Sequence, residues 1–193
     1  GHWSVRDSNG LLAKTGCLII AAGPLTADFV PVLRPATARV LGQVDFIRRA
    51  DSGPALTFGS YLSPSVAGED GELIAALGAT FNREAGFRRG KAIPQTSETA
   101  TNFHLLSERL FGHQAEPAAT PPWAAWRLTT RDRLPFVGGM GKGRFIMTGL
   151  GSRGFTYAPL LADMLAAAIT GTPVPVRRDI ADAIAPNRFA HLV

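Results

Sequence analysis

The chain has 193 residues, a length that suits one domain, or one and a half. Hydrophobic residues make up 46% of it, which is enough to form a substantial core. No apolar run approaches the ~20 residues that a membrane-spanning helix requires, so a membrane partner is excluded. Cys17 is the one cysteine, which excludes an internal disulfide and favours a reducing compartment, so we expect a cytoplasmic protein. The formal net charge of +5 permits a polyanionic partner such as RNA, although the basic residues form only short groups, as on a solvated surface.

The first predicted elements are a β-hairpin and a buried parallel strand. Residues 3–7 alternate like a strand, and Asn-Gly at 9–10 favours a tight turn before a return strand at 11–13. Residues 17–23 are apolar throughout, which is typical of a strand buried on both faces of a parallel sheet. This strand ends in Ala-Ala-Gly-Pro, and open α/β sheets receive ligands at the carboxyl ends of such strands. A small-residue strand end without a ligand is the alternative at this point.

The middle of the chain predicts an antiparallel sheet with a helix. Strands at 40–47, 55–62 and 73–81 are separated by loops rich in Gly, Pro, Ser and Asp. Consecutive strands with short links favour antiparallel pairing. A helix is predicted over 97–111, closed by Gly112. Further strands are predicted at 123–130, 134–138 and 144–148, with a turn at 131–133.

A glycine-rich loop at 148–156 leads into an apolar helix that ends near Thr170. Its three glycines within six residues allow the backbone to approach a ligand closely, because no Cβ stands in the way. Thr156 is the predicted N-cap, Pro159 suits the first turn, and Gly171 suits the position after the helix. The helix is apolar on nearly every face, so we expect it to be buried. Its N-terminus suits an anion or an electron-rich oxygen, but a plain loop before a core helix explains the same pattern.

Several kinds of catalytic and binding site are excluded by the remaining polar residues of the sequence. The four histidines are scattered and no acidic cluster accompanies them, so no metal site is expected. The sequence contains no nucleophile elbow, Cys/His pair or Walker loop. Arg127 is the remaining candidate, because it lies on a predicted strand between Trp126 and Leu128, where a guanidinium requires a partner. A substrate carboxylate and an internal Asp or Glu both suit this position.

Three segments together resemble the D-amino-acid-oxidase-like superfamily of FAD-dependent amine oxidases. Ile-Ile-Ala-Ala-Gly at 19–23 looks like the family's last strand before the substrate domain. Residues 127–138 carry its pattern Arg-x-x-Thr-x-Asp-x-x-Pro-x-x-Gly, and residues 149–159 look like its C-terminal flavin-contacting loop. With Leu-Gly-Ala-Thr-Phe at 77–81 and Ala-Pro-Asn-Arg-Phe at 185–189, most of the chain resembles the oxidase domain of the bifunctional tRNA 5-methylaminomethyl-2-thiouridine biosynthesis family.

The resemblance implies an FAD-dependent oxidation of the carboxymethylaminomethyl group on the wobble uridine of tRNA, followed by hydrolysis to an aminomethyl group. It implies that Arg127 binds the substrate carboxylate and that the helix start near Thr156 stabilises negative charge on the reduced flavin ring. The cofactor-binding residues that it implies are Gly23, Gly149, Leu150, Gly151, Ser152, Arg153, Gly154, Phe155 and Thr156.

Two family features that lie far upstream of these segments are absent here: the Gly-x-Gly-x-x-Gly motif that holds the FAD diphosphate and the methyltransferase domain that precedes it. The chain also starts without a Met. We therefore expect the C-terminal part of a longer enzyme, with an incomplete FAD site and no activity in isolation. Its expected partners are FAD, tRNA and the missing N-terminal FAD and methyltransferase segments.

The expected fold class is α+β, with a mostly antiparallel substrate-domain sheet that carries a helix on one face. An incomplete flavin-binding α/β half ending in a buried helix accompanies it. The flavin-binding pieces are expected at 1–30 and 139–193, and the substrate domain at 31–138. Two alternatives to the tRNA oxidase remain open: a fragment of a generic FAD-dependent glycine, sarcosine or D-amino-acid oxidase, and a non-catalytic RNA-binding module.

Overall fold

The computed structural model describes residues 2–49, 53–68, 70–83, 85–110 and 115–192. The strands are β1 (Trp3–Asp7), β2 (Gly10–Thr15), β3 (Leu18–Ile20), β4 (Thr37–Arg48), β5 (Leu56–Thr57), β6 (Tyr61–Leu62), β7 (Val66–Ala67), β8 (Leu73–Gly78), β9 (Trp123–Thr130), β10 (Phe136–Gly139) and β11 (Arg144–Thr148). The α-helices are α1 (Thr26–Phe29), α2 (Thr96–Arg109), α3 (Gly154–Thr170) and α4 (Arg178–Ile184), with 3-10 turns at Gly23–Leu25, Pro31–Ala36 and Pro186–Leu192. Within these described segments, no helix combines the length and the apolarity needed to cross a bilayer.

The chain forms two compact units. The terminal unit contains residues 1–39 and 127–193, and the central unit contains residues 40–126. These bounds differ from the predicted domain bounds, because residues 31–39 and 127–138 lie with the chain ends. The reason is a shared core, in which Val30, Leu33 and Ala36 pack with Phe136 of β10 and Ile146 of β11. The assignment of the two units to flavin and to substrate stays a prediction.

The terminal unit contains the predicted hairpin and a small mixed sheet. β1 pairs antiparallel with β2, and a separate sheet has the order β10-β11-β3. β11 pairs parallel with β3 and antiparallel with β10, which confirms a parallel strand at this point of the chain. The predicted burial of β3 on both faces is wrong, because Ile19 is 48% exposed on this edge strand.

Helix α3 differs from its prediction at its start and in its burial. It begins at Gly154, so Thr156 lies inside the first turn and is not the N-cap. One face is buried through Leu161, Met164 and Leu165, whose spacing places them on one stripe. Leu160 is 46% exposed, so the expected burial on nearly every face is not observed. The helix ends at a left-handed glycine, as predicted for residue 171.

The central unit confirms the α+β expectation. Its sheet has the order β5-β6-β8-β4-β9, with β7 also paired to β8, and the pairs that β8 forms with β4, β6 and β7 are antiparallel. Helix α2 covers one face, where Leu106 packs with Ile47, Leu62 and Leu77. This arrangement is the predicted antiparallel sheet with one packed helix.

Three details of this sheet depart from the prediction. The single strand expected at 55–62 is a hairpin of β5 and β6, because Gly59 turns the chain with φ +90°. Strand β8 ends at Gly78 instead of Phe81, and β7 is an additional short strand. The predicted helix end at Gly112 lies outside the described residues.

Candidate functional site

The parallel pairing of β3 and β11 brings two loops to one edge of the terminal-unit sheet. β3 leads to Gly23, and β11 leads directly to Gly149. Between them, the buried hydroxyl of Thr148 lies 3.1 Å from the hydroxyl of Thr26 and 3.5 Å from the Gly23 carbonyl oxygen. Both threonines are almost fully buried. The structure therefore brings together the strand end and the glycine loop, which the sequence places about 125 residues apart.

The glycine loop also packs on β9, the strand that carries Arg127. The Gly151 backbone N–H donates to the Leu128 carbonyl oxygen at 3.2 Å. Gly149 has φ +72°, and a Cβ there would lie 2.7 Å from the Thr130 methyl group, so only glycine fits without displacement. Arg127 is half-buried and lies one residue from this contact. The candidate carboxylate-binding residue is thus adjacent to the candidate cofactor loop.

The start of α3 has the features of a site for an electron-rich ligand. Its N-cap position, Arg153, makes no side-chain cap hydrogen bond, and no acidic residue lies in the described first turn. Gly154 and Gly23 both have open space where a Cβ would stand, so their backbones can be approached closely. The first N–H groups of this 17-residue helix lie at its positive end. These residues fit the edge of a flavin ring.

The other predicted cofactor residues differ in exposure. Leu150 packs against the core beneath α3, whereas Ser152 and Thr156 are exposed. Phe155 is fully exposed, at 103%. The Arg153 guanidinium donates to the Tyr157 hydroxyl at 3.3 Å. In the described part of the chain, no group of His, Cys, Asp and Glu side chains is arranged to hold a metal ion.

Sequence reasoning missed one ion pair that joins two of the recognised segments. Arg188 donates from Nε and Nη2 to the two carboxylate oxygens of Asp132, at 2.8 and 3.1 Å, and Nη2 also donates to the Leu134 carbonyl oxygen at 2.7 Å. The guanidinium carbon lies 3.9 Å from the ring centroid of Phe136. The signal was present, since Asp132 belongs to the 127–138 pattern and Arg188 to the 185–189 pattern, but nothing in either pattern indicates that they meet.

This ion pair lowers the pKa of the Asp132 carboxyl. Partial burial of Asp132 acts to raise its pKa, but the hydrogen bonds from Arg188 and from the Leu134 backbone N–H outweigh burial and lower the pKa below its ordinary value. The carboxylate is therefore charged at neutral pH. The pair fixes the end of the chain next to the turn that follows β9.

Solved structures that are similar to this chain include several oxidases. Iminodiacetate oxidase from Chelativorans sp. BNC1 is similar with a TM-score of 0.73 and 21% identity, over 94% of this chain and 48% of that one. Glycine oxidase from Geobacillus kaustophilus has a TM-score of 0.69 and 18% identity, over 94% of this chain and 47% of that one. At these identities the similarity defines the fold class, that of FAD-dependent oxidase domains.

The sequence profile of the family "DAO: FAD dependent oxidoreductase" matches residues 1–168. The chain belongs to this family of FAD-dependent oxidoreductases. Curated relatives include tRNA 5-methylaminomethyl-2-thiouridine biosynthesis bifunctional proteins MnmC. The one from Caulobacter sp. (strain K31) is 35% identical over all of this chain and 31% of the relative, and the one from Ectopseudomonas mendocina (strain ymp) is 29% identical over 97% and 33%. The chain spans about a third of the length of these relatives.

Proposed function

We propose that this chain is the C-terminal part of an FAD-dependent amine oxidoreductase that acts on tRNA. The reaction is the oxidative removal of the carboxymethyl group from carboxymethylaminomethyl-uridine at the wobble position. Support comes from family membership, from the bifunctional relatives and above all from one observation: the strand that carries Arg127 contacts the glycine loop through Gly151 and Leu128. We assign carboxylate binding to Arg127, and this contact supports the assignment because it joins the strand of Arg127 to the loop proposed for the flavin.

The chemistry follows from the substrate class. Loss of two electrons and two protons from the N–CH₂ unit gives a C=N bond, and water then cleaves it to the aminomethyl nucleoside and a two-carbon aldehyde acid. FAD, when bound, supplies the two-electron acceptor, which no amino-acid side chain provides. This family uses FAD, and the chain spans about a third of the length of its bifunctional relatives, so we infer that the remaining part of a longer protein completes the FAD site.

The roles of this chain's residues are proposed on the same basis. Arg127 orients the substrate by pairing its planar guanidinium with the carboxylate of the carboxymethyl arm. Gly23 and Gly154 allow close approach of the cofactor, because neither carries a Cβ and both face open space. The first N–H groups of α3 stabilise negative charge that develops on the ring, by about 0.3–1 kcal/mol or more when buried. The remaining cofactor contacts are assigned to Gly149, Leu150, Gly151, Ser152, Arg153, Phe155 and Thr156.

Two further assignments complete the proposal. The terminal unit is the flavin-binding part, since the proposed cofactor residues all lie in it, and the central unit is the substrate part together with Arg127, the terminal-unit residue that follows it directly in sequence. The protein works in the cytoplasm, because its proposed substrate is tRNA and its single cysteine suits a reducing compartment.

The test is reduction of the flavin by modified tRNA. The full-length protein is purified, mixed without oxygen with tRNA that carries the carboxymethylaminomethyl group, and followed by loss of oxidised-flavin absorbance. We expect Arg127→Ala to lower kcat/KM about 100-fold, since two charge-assisted hydrogen bonds are lost at about 1.5 kcal/mol each. Arg131→Ala is the matched control, because Arg131 is an exposed arginine on the adjoining turn.

Three results would contradict the proposal. The full-length protein could purify without flavin, it could reduce flavin with free glycine or sarcosine but not with modified tRNA, or Arg127→Ala could match Arg131→Ala. The second result would select the generic amino-acid oxidase.

A further inference from the structure

A segment of the central unit, residues 81–95, is held at both ends by the backbone and side chain of one buried residue. Gln43 on β4 has no exposed surface. Its backbone N–H donates to the Thr80 hydroxyl at 3.1 Å, and the Thr80 N–H donates back to the Gln43 carbonyl oxygen at 3.2 Å. Its amide accepts from the Gln95 N–H at 2.7 Å and donates to the Gln95 carbonyl oxygen at 3.2 Å. Gln43 therefore fixes where the segment leaves the sheet and where it enters α2.

The Gln43 amide is in turn held by a network of polar side chains between β4 and α2. It donates to the Thr99 hydroxyl at 2.8 Å, and that hydroxyl donates to Asp45 at 2.6 Å. Asn102 donates to the other Asp45 oxygen at 2.7 Å. Hydrogen bonds in a buried site are costly to break, and of the polar atoms in this network only Asn102 Oδ1 has no partner among the described residues, so the network gives the segment rigid ends.

The middle of the segment is held by apolar contacts. Ala85 and Ala92 pack with Leu41 and Ala124 of the sheet. The Phe87 ring meets the Trp126 ring edge to face, with centroids 5.2 Å apart. Ala85, Phe87 and Ala92 thus pack on the rest of the unit and hold the middle of the segment in place.

The basic residues of the segment lie on its outside. Arg83, Arg88, Arg89 and Lys91 are all exposed. They are four of the seven basic residues of the central unit, whereas residues 83–91 hold one of its nine acidic residues. The basic charge of an otherwise acidic unit is therefore concentrated in residues 83–91, which we call the basic loop. The Arg83 guanidinium carbon lies 5.4 Å from the ring centroid of Phe81, and this ring is 45% exposed.

We propose that the basic loop binds the phosphate backbone of an RNA. Exposed cations bind phosphates and release counterions, and an anchored loop loses little conformational freedom when it does so. An exposed aromatic ring beside a guanidinium adds a surface on which an unstacked base can lie. The proposal rests on the proposed function, because it identifies this loop as the surface that holds the tRNA substrate.

The test is the salt dependence of RNA binding by the full-length protein. Fluorescence anisotropy with an unmodified tRNA transcript gives Kd over a range of salt concentrations. Loss of two phosphate contacts in Arg88→Ala/Lys91→Ala should reduce the slope of log K against log salt by between one and two, and weaken binding about tenfold at low salt. Arg88→Lys/Lys91→Arg keeps both charges and should keep the slope.

The matched control removes the same formal charge elsewhere. Arg177 and Arg178 are 81% and 94% exposed, and each already lies near a carboxylate of its own helix, Asp179 at 2.9 Å and Asp182 at 3.9 Å. Arg177→Ala/Arg178→Ala should leave the slope unchanged. Equal losses in the two double alanine variants would show that only net charge matters and would overturn the proposal, as would an unchanged slope in Arg88→Ala/Lys91→Ala.

Turnover separates this proposal from the proposed function. The double loop variant should raise KM for modified tRNA about tenfold while kcat stays unchanged, since the loop holds the substrate outside the reacting atoms. If the protein binds tRNA through the loop but does not oxidise it, the oxidase function fails and the loop proposal stands. If oxidation proceeds with an unchanged KM in the loop variant, the loop proposal alone fails.

Discussion

The pair formed by Asp132 and Arg188 offers the sharpest test of how the chain end is held. Asp132→Asn keeps the shape of the side chain but removes its charge and replaces one acceptor oxygen by a donor that faces the guanidinium. The Arg188 side chain is only 11% exposed and Asp132 is 30% exposed, so solvent replaces the lost contact only in part. Removing one partner of a fully buried pair costs about 3–5 kcal/mol. With this partial exposure we expect a loss of about 2 kcal/mol.

The assay is urea unfolding at pH 7, followed by tryptophan fluorescence and by far-UV circular dichroism. With a slope of about 2 kcal/mol per molar urea, the loss corresponds to a midpoint about 1 M lower. Asp179→Asn is the control, because Asp179 accepts from Arg177 at similar distances, 2.9 and 3.0 Å, but both side chains are mostly exposed. An exposed pair contributes less than about 1 kcal/mol, so the control midpoint should scarcely move.

The same pair predicts a direction of pH dependence. Folding lowers the pKa of the Asp132 carboxyl, so the pair contributes its full stability above the unfolded-state pKa of about 3.9. That contribution is lost as pH falls through the lower folded-state pKa. The difference between wild type and Asp132→Asn should therefore be constant from pH 7 to 5 and should shrink below pH 4. Equal midpoints at pH 7, or a difference that closes between pH 7 and 5, would refute this reasoning.

Three predictions concern the loop between β11 and α3. Gly149→Ala should lower stability by about 2–3 kcal/mol in urea unfolding, because the residue has φ +72° and its Cβ would lie 2.7 Å from a methyl group of Thr130; a wild-type midpoint would contradict this. Gly154→Ala should leave the unfolding midpoint unchanged or slightly higher, since the added Cβ meets open space at the start of a helix. The same substitution should lower the amount of FAD that co-purifies with the full-length protein, and an unchanged FAD content would show that Gly154 is not part of the cofactor site. Thr148→Val should cost about 1–2 kcal/mol, because the hydrogen bond to Thr26 is lost from a buried site; the check is the same urea titration.

Local patterns predicted most of the elements and the class of fold. The hairpin at residues 3–15, the antiparallel sheet of the central unit and strand β9 follow from alternation and turn chemistry, which act over a few residues. The glycine C-cap of α3 is equally local. These features could be predicted because the residues that determine them are neighbours in sequence.

Features that depend on distant residues could not be predicted in this way. Asp132 and Arg188 are 56 residues apart, and Gln43 contacts Gln95 across 52 residues. Nothing in the local sequence of either partner specifies the other. The exposed face of α3 was missed for a related reason: an apolar sequence shows which residues can be buried, but the neighbours decide which ones are. Leu160 and Leu165 read alike in the sequence, and they are 46% and 5% exposed.

The three glycines of the loop before α3 are present for two different reasons. In the sequence, Gly149, Gly151 and Gly154 share one explanation, close approach of a ligand. In the structure, Gly149 and Gly151 both have positive φ, and a Cβ on Gly149 would lie only 2.7 Å from the Thr130 methyl group, so the fold of the loop already requires both glycines. Gly154 has no such packing, because nothing lies within 4 Å of its Cβ position and its φ suits any residue. The fold leaves Gly154 unexplained, and a ligand that approaches the start of α3 is the explanation that remains.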